Sequence, residues 1–191
     1  EKKKKIPVWP TRIGIITSPT SAAVKDILTV MKRRCPTIPG IIYPCSVQGE
    51  GATLEISAAI ASANQRSECD VLILSRGGGS LEDMRAFNEE PVIRAIFSSK
   101  APVISAVGHE TDHTIADLVA DRRAPTPSSA AEIAVPDCRD LSDKLFKAQQ
   151  ILNDRISSKM ASSWDLVNQK TEGLGRNLPA TEEYRNRLGE L

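Results

Sequence analysis

Apolar positions follow two regimes along this chain, and the change comes near residue 137. Up to that point, short β-rich apolar runs alternate with stretches of helical spacing. Arg12–Thr17 (RIGIIT) predicts a buried strand, and Ser21–Arg34 predicts a helix with apolar residues at Val24, Ile27, Leu28 and Met31. Pro36 and Pro39 end that helix. Ile41–Cys45 predicts a second strand, which Pro44 either terminates or confines to a sheet edge. An Ala-rich helix over Leu54–Asn64, a third strand at Val71–Ser75, a helix over Glu89–Phe97, a fourth strand at Pro102–Val107 and a helix over Thr114–Ala120 complete the series. The strands are continuous apolar runs, the mark of a parallel sheet covered on both faces. The expected fold is therefore α/β: an open, mainly parallel sheet of about four strands with flanking helices. In such sheets ligands bind beyond the carboxyl ends of the strands.

Past Asp137 the pattern turns polar and helical. Leu141, Leu145, Ala148, Leu152, Ile156, Met160, Trp164 and Val167 recur every three or four residues. This predicts a long amphipathic helix whose apolar stripe is a packing seam. Gly173 and Gly175 weaken it, Pro179 interrupts it, and 181–188 is expected to start a second helix. The organisation expected is a basic linker over 1–9, a catalytic α/β domain over 10–137 and a helical arm over 138–191.

Composition narrows the partners. The 191 residues are 40% hydrophobic and 26% charged, the balance of an ordinary globular chain. No apolar run approaches the roughly 18 residues that span a bilayer, and the charged start at Glu1–Lys5 has no apolar stretch after it, so neither a membrane span nor a signal peptide is expected. The net charge is only +1. A polyanion must then be held by local features. Basic clusters occur at Lys2–Lys5, Lys32–Arg34 and Arg122–Arg123, and each reads first as a solvated face or tail. Cys35, Cys45, Cys69 and Cys138 form no C-x-x-C pair. Zinc and a disulfide framework are not expected, and a reducing cytoplasm fits.

Three polar clusters follow three of the four strands. Ser18, Thr20 and Ser21 follow the first and lead into a helix whose free N–H groups suit a phosphate. Asp26 lies just over one turn into that helix, where the plain alternative is an acid complementing the helix dipole. Arg76, Gly77, Gly78, Gly79 and Ser80 follow the third strand. Three glycines carry an entropic cost that close approach of a phosphate to backbone N–H groups would justify. Arg76 could fork two phosphodiester oxygens. The motif is neither the dinucleotide fingerprint nor the P-loop. Glu82, Asp83 and Asn88, which come next, read as capping and surface. Gly108–His113 (GHETDH) follows the fourth strand and carries both histidines of the chain. His109 can exchange a proton near neutral pH, and Asp112 is near enough in sequence to orient it. His113 lies beyond the turn and reads as structural. In Asp121–Glu132, Arg122 and Arg123 could touch backbone phosphates, and Ser129-x-x-Glu132 fits a capping box.

RIGIITSPTSAAVKDIL, CDVLILSRGGGSLEDMRAFNEE and PVISAVGHETDHTIADLVADRRAPTPSSAAE together resemble the central domain of the exodeoxyribonuclease VII large subunits, over roughly 10–137. The stretch from Cys138 resembles the start of that family's coiled-coil arm. The resemblance implies hydrolysis of single-stranded DNA from either end, releasing oligonucleotides with 5′-phosphates. It implies catalytic residues at Asp26, Arg76, His109 and Asp112. It also implies several copies of a small helical subunit on the arm and no strictly required cofactor, with Mg²⁺ left as an option. No five-strand stretch precedes Pro10, so the chain is expected to be a piece of a longer subunit, without that family's OB-like DNA-binding domain.

Without a metal, such an enzyme must activate water and neutralise the pentavalent phosphorus with side chains and backbone. His109 is the expected acid or base, Asp112 its orienting partner, and Arg76 with Gly77–Gly79 the oxygen-holding group. Asp26 either orients water or fixes Arg76. Two rivals stand beside this. Asp26, Glu110 and Asp112 could hold Mg²⁺. A non-catalytic phosphate- or nucleotide-binding module would use the same loops but leaves the His109/Asp112 pair unexplained.

Overall fold

The computed structural model describes residues 3–77, 81–108, 113–177, 185, 188 and 189, with backbone alone at 81–83 and 175. Two compact units emerge, 1–139 and 140–191.

The first unit is a five-stranded sheet in the order β2-β1-β3-β4-β5, with every neighbouring pair parallel. The strands are β1 (Ile13–Thr17), β2 (Gly40–Pro44), β3 (Val71–Ser75), β4 (Val103–Ala106) and β5 (Arg122–Arg123). Between them lie α1 (Ala22–Arg34), α2 (Ala52–Arg66), a 3₁₀ helix (Leu81–Asn88), α3 (Glu90–Phe97) and α4 (Ile115–Val119), and α5 (Pro127–Ala134) follows β5. Side-chain alternation sorts the strands into two cores. Ile13, Ile15, Val71, Ile73 and Ile104 pack against α1 and α5. Ile16, Leu72, Leu74 and Val103 pack against α2, α3 and α4. The continuous apolar runs follow directly, since both faces are covered.

Close approach fixes one glycine. A Cβ at Gly14 would stand 2.5 Å from Leu72 Cδ2 and 3.1 Å from Tyr43 Cε2, on the face of the sheet that α2 covers. As Pro44 suggested, β2 lies at the sheet edge and ends there. The fifth strand is new relative to the sequence reading. It has two residues, both arginines, too short and too polar for any periodicity to show.

Two local expectations need correction. The helix α5 is capped by Thr126, whose hydroxyl accepts from Ser129 N at 3.1 Å, with Pro127 at the first turn. Ser129 is thus the capped residue rather than the cap. Glu132 instead pairs with Arg33 at 3.2 Å. The Pro at the first helical position moves the start three residues earlier than the Ser-x-x-Glu spacing implies. Cys35, which caps the C-terminus of α1, forms a disulfide with Cys138, their Cα atoms 5.2 Å apart. No bridge was expected, because 103 residues separate the two and only the tertiary fold brings them together. Cys45 and Cys69 are buried thiols.

The last helix, α6 (Cys138–Asn177), has 40 residues and runs through Gly173. At 1.5 Å per residue it is about 60 Å long. Leu145, Phe146, Leu152, Ile156, Met160 and Trp164 are exposed along it. The interruption expected at Pro179 lies outside the described residues, as does most of 181–188. Among the described residues no helix is long and apolar enough to cross a membrane.

Candidate functional site

The order 2-1-3-4-5 is a doubly wound arrangement. The chain leaves β1 toward β2 on one side and returns to β3 on the other. Loops therefore diverge at the carboxyl ends of β1 and β3, and the crevice between them is where such sheets take their ligands. A cleft of about 400 Å³ opens at this point. Ser18, Thr20, Ser21 and Ala22 form its β1 side, and Gly77 its β3 side. Ser46, Val47 and Gln48, from the exit of β2, form the remaining wall.

The β1 side is built around the start of α1. Ser21 is in an extended conformation, and its hydroxyl accepts from Val24 N at 3.4 Å. Its own N–H donates to Ser18 carbonyl oxygen at 3.0 Å, which folds the turn. Thr17 Oγ1 lies 3.3 Å from Ser21 Oγ, and Ser18 Oγ lies 3.3 Å from Thr20 Oγ1. The first helical residues, Ala22, Ala23 and Val24, are uncharged. With Val24 N capped, the N–H groups of Ala22 and Ala23 have no intrahelical acceptor. Hydroxyls, orphan N–H groups and the positive end of a 13-residue helix thus converge, which favours an anion.

The β3 side is close and small. A Cβ at Gly77 would lie 3.7 Å from Ser21 Cβ, an ordinary contact, so this glycine is needed neither for space nor for a positive φ. Its lack of a side chain keeps the cleft wide. Arg76 is almost fully buried, and its Nε donates to Gly77 carbonyl oxygen at 3.2 Å. Ser75 Oγ is buried with no hydrogen-bond partner among the described residues, one position before Arg76. Gly78, Gly79 and Ser80 lie outside the described residues.

The exit of β4 is next to that of β3, since Ser75 pairs with Ala106 in register. Val107 and Gly108 are buried there. His109, Glu110 and Asp112 lie outside the described residues, and His113 is exposed. Just beyond, Asp117 is buried and accepts from Ser105 Oγ (2.6 Å), Thr114 N (2.9 Å) and Thr114 Oγ1 (2.8 Å). Asn88 Oδ1 accepts from Ile115 N at 2.7 Å. Both flanks of the 109–112 segment are therefore fixed, one by the sheet and one by this capping network.

Other expected site residues stand apart from the cleft wall. Asp26 is exposed on the second turn of α1 and is not part of the lining. Arg122 is exposed and Arg123 half-buried on β5, the sheet edge beyond β4, two strands away from β3. The wall at Ser46–Gln48 was not anticipated. The strand-exit rule that picked out three loops applies equally to the fourth, and the polar Ser46 and Gln48 after Cys45 were the signal.

Among the described residues no titratable side chain lines this cleft. Glu55 braces the new wall, accepting from Ser46 N at 2.7 Å, and that bond holds its carboxyl below the usual carboxylate range. Burial, together with the Glu55 charge, pushes the Cys45 thiol up to about 12, so it is no nucleophile at neutral pH. A second, larger opening of about 600 Å³ lies beyond Gly49, but Glu50 and Glu89 face it along with Arg85, a poorer setting for a phosphate. No group of three His, Cys, Asp or Glu that could hold a metal occurs among the described residues.

The family model described as "Exonuclease VII, large subunit" matches residues 1–191. A protein from Desulfitobacterium hafniense named Exodeoxyribonuclease 7 large subunit is 59% identical over 193 residues, covering all of this chain and 48% of the relative. Proteins of the same name from Hahella chejuensis and Neisseria gonorrhoeae are 51% and 48% identical, again over the whole chain, with 43% and 42% of their own lengths covered. The chain thus spans less than half the length of these relatives. A doubly wound sheet with an anion-favouring cleft at its switch point, matched end to end by one family model, places this chain in the exonuclease VII large subunit family.

Proposed function

We propose that this chain is the hydrolytic part of an exodeoxyribonuclease that cleaves phosphodiester bonds of single-stranded DNA from either end, leaving oligonucleotides with 5′-phosphates. The observation that carries the reading is the cleft at the β1/β3 switch point, where the α1 N-terminus and three hydroxyl side chains face Gly77 beside a buried Arg76. A phosphodiester seated there would have its non-bridging oxygens against N–H and O–H donors. Such donors accelerate hydrolysis chiefly by stabilising the charge that develops on those oxygens.

In this reading Arg76 neutralises the phosphoryl oxygens, with Gly78, Gly79 and Ser80 extending the cradle. His109, entering from the neighbouring strand exit, moves the proton of the attacking water or leaving oxygen, and Asp112 orients its imidazole. Asp26 stands on the exposed side of α1 and orients water or steadies Arg76. Arg122 and Arg123 follow the departing strand by phosphate contact at the sheet edge. The reaction requires no cofactor; Mg²⁺, if it contributes, would be held by Asp26, Glu110 and Asp112 and would polarise the phosphoryl oxygens. The exposed apolar residues of α6 receive copies of a small helical subunit, and the protein works in the cytoplasm.

A time course on single- and double-stranded DNA, with and without chelator, tests this. His109→Ala should abolish cleavage with an unchanged melting temperature, and full activity in that variant would remove the assignment. The second reading, a non-catalytic phosphate-binding module, rests on the same α1 N-terminus and hydroxyl-lined cleft, which would serve binding equally well. It predicts binding of single-stranded DNA with no product released over time.

A further inference from the structure

We infer that the cleft is polarised: the phosphate of a bound nucleotide faces α1, and Gln48 holds the nucleoside portion on the opposite wall. The inference rests on the proposed substrate class and adds an orientation and a residue to it.

The two walls differ in charge. On the α1 side, Ser18, Thr20 and Ser21 present hydroxyls beside the positive end of the helix. Among the described residues, the side chains on the opposite side are those of Ser46, Val47 and Gln48, which include no cation. The Glu55 carboxylate is fastened to that wall, accepting from Ser46 N at 2.7 Å. A phosphate against Ser46–Gln48 would meet this negative charge, whereas against α1 it meets N–H donors. The phosphate is therefore driven to one side, and the neutral remainder of the nucleotide falls on the other.

Gln48 suits that remainder. Its carboxamide carries both donors and an acceptor, and so matches sugar oxygens and base edges. The side chain is exposed, and the turn that carries it is set by Gly49 at φ +84° and by the Glu55 strut. A volume of about 400 Å³ lies within the range of small-ligand sites. The Glu55–Ser46 bond makes Glu55 a positioning residue for the wall rather than a ligand contact.

The test measures dissociation constants of inorganic phosphate and of thymidine 5′-monophosphate for the full-length protein by calorimetry, with cleavage of single-stranded DNA followed in parallel. Thymidine monophosphate should bind more tightly than phosphate. Gln48→Ala should weaken the nucleotide about five- to tenfold, the worth of one or two neutral hydrogen bonds, and leave phosphate within twofold. Gln48→Asn should recover part of the loss. Equal weakening of both ligands, no change in either, or equal affinity of the two for the unaltered protein would overturn the inference. Failure of the nuclease reading shows separately, as an absence of cleavage by the unaltered protein.

Discussion

Replacing Asp117 with Ala probes how the β4 exit is held, and the cost can be worked from the contacts. The carboxylate is 3% exposed and accepts three hydrogen bonds, from Ser105 Oγ, Thr114 N and Thr114 Oγ1. Truncation leaves the Ser105 hydroxyl, at 0% exposure, and the Thr114 N–H without acceptors. Each orphan costs about 1–3 kcal/mol. The expected loss is about 2–6 kcal/mol, a fall in melting temperature of roughly 7–20 °C for a unit of this length. Urea unfolding followed by circular dichroism measures it. Asp117→Asn keeps one acceptor oxygen and should lose about half as much. Removing the orphan as well, in an Asp117→Ala, Ser105→Ala double variant, should restore about 1 kcal/mol relative to Asp117→Ala alone. A loss below about 1 kcal/mol in Asp117→Ala would refute the reasoning, because it would mean the buried donors find other partners at no cost.

Three further outcomes follow from other parts of the molecule. Gly77→Ala should fold normally, since the added methyl meets Ser21 Cβ only at 3.7 Å, yet it should weaken phosphate binding by narrowing the cleft; a melting curve and a phosphate titration check the two halves. Denatured protein should show two thiols without reductant and four with it, by alkylation and mass spectrometry. Opening a bridge across 103 residues should lower stability, by about 4–5 kcal/mol in the chain-entropy account. Asp70 accepts from both Thr11 Oγ1 and Thr11 N at 2.6 Å, and the hydroxyl bond above all holds its carboxyl below the ordinary value of 3.8. The folded protein thus binds this proton less readily than the unfolded chain. Its contribution is full above about pH 4 and falls away as acid carries the pH below that. Thr11→Ala should flatten the acid limb of a stability-against-pH curve.

The sequence carried the sheet well because each strand is buried on both faces, so Ile13–Thr17 and Val71–Ser75 appear as unbroken apolar runs. Helix α1 was legible for a different reason: Ser21 caps it and Val24, Ile27 and Met31 fall on one face. What the sequence hid was tertiary. Strand β5 exists only because Arg122 and Arg123 lie beside Ile104 and Ser105. Cys35 and Cys138 meet only once α1 and the end of α5 share a face of the sheet. The start of α5 was misplaced because a serine with a glutamate three residues on imitates a cap, while Pro127 fixes the true first turn. At the site, the α1 wall and Gly77 were legible as strand exits. Ser46–Gln48 were not, because that loop has no glycine run, histidine or arginine to draw notice. The placement of Asp26 on the exposed second turn of α1 agrees with its spacing from Ser21, while its role depends on chemistry that a helix position does not fix.

Titration of the protein with a short single-stranded oligonucleotide, followed at each backbone amide by nuclear magnetic resonance, addresses the switch-point cleft most directly. The amides of Ser21, Ala22, Ser46, Gln48 and Gly77 should shift first and saturate together, and inorganic phosphate should reproduce the shifts at Ser21, Ala22 and Gly77. Shifts confined to the opposite rim of the sheet, around Asn64, Asp70 and Lys100, would contradict the account.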